Sequence, residues 1–207
     1  MSRMPDAHAI TTQDQLQALY TPPSELVLKK VTDRIDPRTA EFIAASPFCI
    51  LSTFGPRGPH ATPRGDAPGF IDVLDDKTLA LPDRRGNNRI DALRDIIDNP
   101  AVALLFLVPG AGETLRVAGR ARLTADPALC ERYTVQGQIP SSVMLIEVEE
   151  VFMQCQRAIL RSRLWGERAR AAGAPTGGQL LEAHTKGLVE AAAYDAETAP
   201  RVSATLY

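Results

Sequence analysis

The chain has 207 residues, 44% of them hydrophobic and 23% charged, with a formal net charge of −2. That is enough chain for one packed domain with appendages, in the composition of an ordinary globular protein. The balanced charge leaves no basic stripe for nucleic acid, so nucleic acid is not expected as a partner. The longest strongly apolar run, Ala101 to Val108, is far short of a bilayer span, so no membrane association is expected.

The three cysteines, Cys49, Cys130 and Cys155, are far apart and make no CxxC or Cys/His ligand spacing. His8, His60 and His184 are scattered as well. A reduced compartment and no metal site are the expectation. Residues 1–20 lack the apolar stretch of a signal peptide, which predicts a cytoplasmic protein.

Thr11-Thr12-Gln13-Asp14 offers an N-cap before Leu16, Leu19 and Tyr20, predicting a short helix that Pro22-Pro23 ends. Leu26-Val27-Leu28 fits a helical turn or extended chain. Asp36-Pro37 starts a helix that runs from Arg38 to Ala45, with Asp as cap and Pro in the first turn. Phe48 to Phe54 reads as a buried strand, and Gly55-Pro56-Arg57-Gly58-Pro59 as a turn. His60 to Asp66 returns as a strand whose Pro63 and Gly65 argue against an ordinary central place. Gly65 there permits close approach of a ligand or of another backbone. Phe70 to Leu74 and Lys77 to Leu81 are two more strands, joined at Asp75-Asp76.

A helix from Arg89 to Ile97 follows and closes at Asn99-Pro100. Ala101 to Val108 is predicted to be a central strand buried on both faces. Its partner, Glu113 to Leu123, sets Leu115, Val117 and Ala121 on one face and Arg116, Arg120 and Arg122 on the other. Asp126-Pro127 opens a helix reaching Tyr133, and Val143 to Phe152 is the last long strand. Ala171 to Gly178 reads as a linker and Gln179 to Tyr194 as a helix; the tail from Thr198 docks or frays.

The connections are too short for parallel crossovers, so about six or seven mostly antiparallel strands are expected. A closed or partly closed barrel hides the edges of such a sheet. The predicted class is mainly β with inserted helices.

Chemistry concentrates between the fourth strand and the helix after it, in Leu81-Pro82-Asp83-Arg84-Arg85-Gly86-Asn87-Asn88-Arg89. Free N–H groups and the positive dipole end of a helix hold anions, and arginine forks match phosphate oxygens. The stretch reads either as a phosphate grip or as a basic loop with Asn87 or Asn88 as a plain N-cap. It is not a nucleotide loop of the parallel-sheet kind, since neither GxGxxG nor GxxxxGK is present. Arg64 and Asp66 read either as ligand contacts or as a pair with each other, and Trp165 as packing or as a ligand cover. No Ser/His/Asp or Cys/His arrangement is evident, so no catalytic side chain is assigned.

Six pieces stand in order along the chain: Ser46-Pro47-Phe48 with Leu51-Ser52-Thr53; Thr62-Pro63-Arg64-Gly65-Asp66 with Pro68-Gly69-Phe70; Leu81-Pro82-Asp83-Arg84 with Gly86-Asn87-Asn88-Arg89; Asn99-Pro100 with Leu104-Leu105-Phe106; Glu113-Thr114-Leu115-Arg116-Val117 with Gly119-Arg120-Ala121; and Arg161-Ser162 with Leu164-Trp165. In this order they resemble the pyridoxamine-5′-phosphate-oxidase-like FMN-binding split barrels, and more closely their FMN-dependent "PPOX class" branch.

The resemblance implies a homodimeric split barrel over residues 36–166, between an N-terminal helical extension (1–35) and a C-terminal one (167–207). It implies FMN at the subunit interface, its phosphate held by Arg84, Asn87, Asn88 and Arg89, with Arg85 as an extra. Arg64 and Asp66 would lie by the ring or ribityl chain, with Pro82 and Asp83 beside it. Arg116 or Arg120 would reach polar edges of the flavin, and Arg163 and Trp165 would cover it from the second subunit. The implied activity is FMN-dependent oxidation or reduction of an unidentified small substrate, or of a reduced nicotinamide donor. A flavin-sequestering protein with little turnover, or a split barrel using a deazaflavin or haem, are the alternatives. The Arg/His substrate pattern that the true oxidases carry near their C-terminus is not evident here, so a vitamin B6 substrate is not implied.

Overall fold

The structure, a computed structural model, describes residues 8–166 and 173–206. Its centre is a seven-stranded sheet in the order β2-β1-β5-β6-β7-β4-β3, with every neighbouring pair antiparallel. The strands are β1 (Phe48–Gly55), β2 (Gly58–Gly65), β3 (Asp72–Val73), β4 (Thr78–Pro82), β5 (Ala101–Leu107), β6 (Thr114–Thr124) and β7 (Val143–Gln154). The mainly β, antiparallel expectation is met. The ladder stops at β2 on one side and β3 on the other, so backbone hydrogen bonds do not close the sheet into the expected barrel.

The helices are inserted between strands or appended to the sheet. They are α1 (Gln13–Gln17), α2 (Glu25–Lys29), α3 (Pro37–Ala45), α4 (Asp91–Asp98), α5 (Pro127–Arg132), α6 (Arg157–Ser162), α7 (Gly177–His184) and α8 (Ala191–Ser203). Caps explain where several begin. Thr12 and Gln15 form a capping box on α1, and Asp36 accepts from the backbone of Arg38 and Thr39 ahead of Pro37. Asp126 caps α5 in the same way, ahead of Pro127.

Period-2 alternation builds the core. Cys49, Leu51, Val102, Leu104, Phe106, Val117, Ile146, Val148 and Val151 point inward and are buried, with Ile43 of α3 and Ile96 of α4 packed on them. Ser46, fully buried, ties the end of α3 to the sheet with its hydroxyl in hydrogen-bond reach of the carbonyls of Phe48 and Leu107, which share its one hydrogen. A smaller cluster on the other side of the sheet joins Ala80, Val143 and Leu145 to Cys130 of α5.

Four expectations change. Only one face of β5 is buried; Ala103, Leu105 and Leu107 are half-buried on the other. That outer face stays apolar into β1, where Phe48 and Phe54 are exposed. The third strand shrinks to two residues, because Phe70 and Ile71 enter the core instead of the ladder. The helix after the basic stretch starts at Asp91, with Ile90 before it at φ 48°. The single C-terminal helix is two, broken where Lys186 and Gly187 take φ of 54° and 84°, and α8 takes in the tail as far as Ser203. Of the linker, residues 171–172 lie outside the described residues, as do 167–170 at the start of the C-terminal extension and 1–7 of the N-terminal stretch.

Candidate functional site

Where the ladder stops, side chains bridge the gap. Arg64 on β2 pairs with Asp83, just past β4, at 3.1 Å. Asp66, just past β2, pairs with Arg84 at 2.8 Å. The two acid–base pairs are therefore crossed between the strands, and Arg64 and Asp66 do not pair with each other. Arg84 also donates to the carbonyl of Tyr133 at 2.6 Å, and the Asp66 amide donates to that of Pro47. The Asp66 carboxylate is 4% exposed, so this is a buried pair rather than a surface one. Gly65 does serve close approach, and the approaching group is backbone: a Cβ there would sit 3.2 Å from the Pro47 carbonyl.

Beside this seam opens a cleft of about 830 Å³, within the size range of small-molecule sites. One wall is Thr62, Pro63 and Arg64 of β2; the other runs from Asp83 to Leu93, and residues 138–141 close a third side. It gathers Arg64, Asp83, Arg84, Asn87, Asn88 and Arg89 of the predicted set, together with Arg85. Asp66 joins through Arg84, and Pro82 is buried as the last residue of β4, opposite Val143.

The loop's conformation is built to present polar groups. Asn88 and Ile90 both have positive φ, 59° and 48°, and for a β-branched isoleucine that is a strained conformation. The Asn87 carbonyl oxygen accepts from the Arg89 amide at 3.1 Å, which leaves the Asn87 NH₂ as a donor. Asp91, at the start of α4, holds both Arg89 and Arg57, and those guanidinium groups, Arg57 first, depress its carboxyl to about 2. No hydrogen bond or ion pair engages the Arg85 or Asn88 side chain among the described residues. At the cleft wall the Nε of Arg64 is buried with no hydrogen-bond partner among the described residues. A buried donor left unmet is costly, which makes this Nε a place where an acceptor would be favoured.

The remaining predicted residues lie elsewhere. Arg116 pairs with Glu150 at 3.4 Å and stacks over Phe152, and Arg120 lines a separate hollow with Arg122 and Glu147. Arg163 ends α6 at φ 50°, and the Trp165 indole donates to the Ala111 carbonyl at 2.6 Å in the turn between β5 and β6. None of these four lines the cleft.

Sequence reading missed one cluster next to the cleft. Asp95 of α4 is 2% exposed; it accepts from the Thr53 hydroxyl at 2.7 Å and meets Nδ1 of His60 at 2.5 Å. These bonds, His60 first, hold its carboxyl below the usual range. The signal was present: Asp95 shares the apolar stripe of α4 with Ala92 and Ile96, at i, i+3 and i+4. The residues at 138–141 left no comparable signal.

A seven-stranded antiparallel sheet with inserted helices, carrying an arginine- and asparagine-rich cleft beside its crossed ion pairs, makes this a mainly β protein. The family model described as pyridoxamine 5′-phosphate oxidase matches residues 35–155, so the chain belongs to the pyridoxamine 5′-phosphate oxidase family. Among solved structures it is similar to HupZ of Group A Streptococcus, at 20% identity over 58% of this chain and 94% of that one, TM-score 0.49. A Clostridium acetobutylicum protein related to general stress protein 26, of the pyridoxinephosphate oxidase family, matches at 15% identity over 57% and 86%, TM-score 0.45. A FAD-binding protein of Mesorhizobium loti matches at 16% identity over 59% and 96%, TM-score 0.39. No match is found among the curated proteins. No helix among the described residues is long and apolar enough to cross a membrane.

Proposed function

We propose that the protein is an FMN-dependent oxidoreductase acting on a small molecule, with the flavin in the seam cleft. The observation that carries this reading is the buried, unpartnered Arg64 Nε in a cleft that also presents Arg85, Asn87, Asn88 and Arg89. Arg85, Asn88 and the Asn87 NH₂ would hold the phosphate, joined by the donors of Arg89 that Asp91 does not engage. Arg64 would donate to a carbonyl or ribityl oxygen. Arg84 acts through the fold: two of its donors are committed to Asp66 and Tyr133, so it positions the loop more than it grips a ligand. A bound flavin supplies hydride and electron transfer; the protein supplies placement and electrostatics.

The second part of the proposal is a homodimer built on the uncovered face of β1, β2 and β5. Across that face Phe48 stands opposite Leu107, and Ile50 opposite Leu105 and Pro63. A contiguous apolar face of this kind marks an association surface. Arg116, Arg120, Arg163 and Trp165 belong to this interface in the proposal, where a second protomer would bring them to the flavin. Purified protein titrated with FMN should quench flavin fluorescence. Arg85→Ala with Asn88→Ala should weaken FMN by about 10-fold or more, while riboflavin, which lacks the phosphate, should be unaffected. Wild-type protein that binds no flavin would sink the reading.

A further inference from the structure

Beyond the seam, the structure buries the Asp95 carboxylate with Thr53 and His60. A lone buried carboxylate is strongly unfavourable, and here three features accommodate it. The Thr53 hydroxyl donates to Oδ2, His60 Nδ1 meets the same oxygen, and Gly55 leaves room for Oδ1, which a Cβ there would approach to 2.0 Å. Plain docking of α4 onto β1 needs none of this, since Ala92 and Ile96 already pack into the core.

The cluster fixes the chemistry of the His60 ring. Asp95 is held in its ionised form, so its oxygens only accept. Nδ1 of His60 must therefore carry the hydrogen, and in the neutral ring Nε2 is left as an acceptor. Nε2 has no hydrogen-bond partner among the described residues, and the side chain is 28% exposed. His60 shares its face of β2 with Thr62 and Arg64, which form the cleft wall, and lies one pleat, about 7 Å, from Thr62. Asp95 sits one turn past Asp91, Ala92 and Leu93, which form the facing wall.

We propose that His60 is a ligand-binding residue of the cleft, with Nε2 accepting from a hydroxyl or imide N–H of the bound flavin, and that Asp95 is the positioning residue that sets its tautomer. The proposal rests on the flavin reading above. Contact of this kind needs the neutral ring, because protonation turns Nε2 into a donor. The charged groups around the ring are Asp95 and Asp91 on α4, Arg57 in the turn after β1, Arg89 in the loop and Arg64 on the same strand. Affinity should therefore be lower in acid, where the ring is protonated, than at pH 8.

Riboflavin is the discriminating probe, since it has the hydroxyls and the imide but no phosphate to titrate. His60→Phe should weaken FMN and riboflavin by the same factor, about 3- to 10-fold for one lost hydrogen bond, and should abolish the pH dependence of riboflavin binding. His60→Gln, which keeps an acceptor, should recover part of that loss and carries the test if the Phe variant does not fold. Nitrogen-15 NMR of the histidines should show His60 as the Nδ1–H tautomer at pH 8 in wild type, and a mixed tautomer in Asp95→Asn. Unchanged riboflavin affinity in both His60 variants, or an Nε2–H tautomer in wild type, overturns the inference while leaving the flavin reading standing. Wild-type protein that binds neither flavin overturns both.

Discussion

At the level of single residues, the seam rests on Asp66. Its carboxylate is buried against Arg84, which in turn reaches Tyr133. Asp66→Asn keeps the shape and removes the charge, leaving a guanidinium only 18% exposed without its anion. Breaking one side of a buried pair costs roughly 3–5 kcal/mol, which urea unfolding should register directly. Asp91 behaves differently because it controls the loop through two arginines. Its carboxyl falls from 3.8 to about 2 in the folded protein. A depressed carboxylate contributes stability that is complete above the unfolded value and is lost as pH falls through the folded one. The Arg57–Asp91–Arg89 bracket should therefore hold at pH 5 and release between about pH 4 and 2, and carboxylate NMR of Asp91 should place its midpoint near the lower figure. A midpoint near 4 would mean that the bracket is absent in solution.

Among the elements, β6 and β7 show what pattern alone could and could not tell. Alternation assigned the two faces of β6 correctly, with Leu115, Val117 and Ala121 inside. It gave no sign of the register shift at Ala118/Gly119, where β7 carries an extra residue. The shift depends on Gly119: a Cβ there would lie 2.0 Å from the Glu147 carbonyl oxygen. Backbone cannot give way as a flexible side chain can. Gly119→Ala should destabilise by about 1–3 kcal/mol or more, and hydrogen exchange should open first around residues 118–120 and 147–150. Wild-type protection there would show that the shift relaxes without cost. The helix starts were legible for a simpler reason. Asp36-Pro37 and Asp126-Pro127 carry their caps locally, whereas α4 has no side-chain cap, and its start was misplaced by two residues.

For the whole molecule, the sequence made clear the antiparallel order of elements and most of one wall of the cleft, because both are written in contiguous stretches. The His60–Asp95–Thr53 cluster joins α4 to the β1–β2 hairpin across separations of 35 and 42 residues, so the stripe of α4 pointed to a buried Asp95 but not to its partners. The same limit applies to β5. A continuous apolar run does not say whether a neighbour in its own chain or in another covers the second face. The proposed dimer supplies that cover, and Leu105→Glu tests it. A charge opposite Ile50 on the outer face should leave the monomer folded, shift its mass by sedimentation to one chain, and lower flavin affinity. A wild-type chain that sediments as a monomer would end the dimer proposal.

The crossed pairs at the seam have a consequence for how such a site can change. The width of the cleft there is set by the reach of four side chains, Arg64, Asp83, Asp66 and Arg84, and not by strand register. Exchanging an aspartate for a glutamate on either side would move the walls apart by one methylene while every rung of the ladder stays in place. Ligand size is thereby decoupled from the backbone framework, and the seam can be retailored without refolding the barrel.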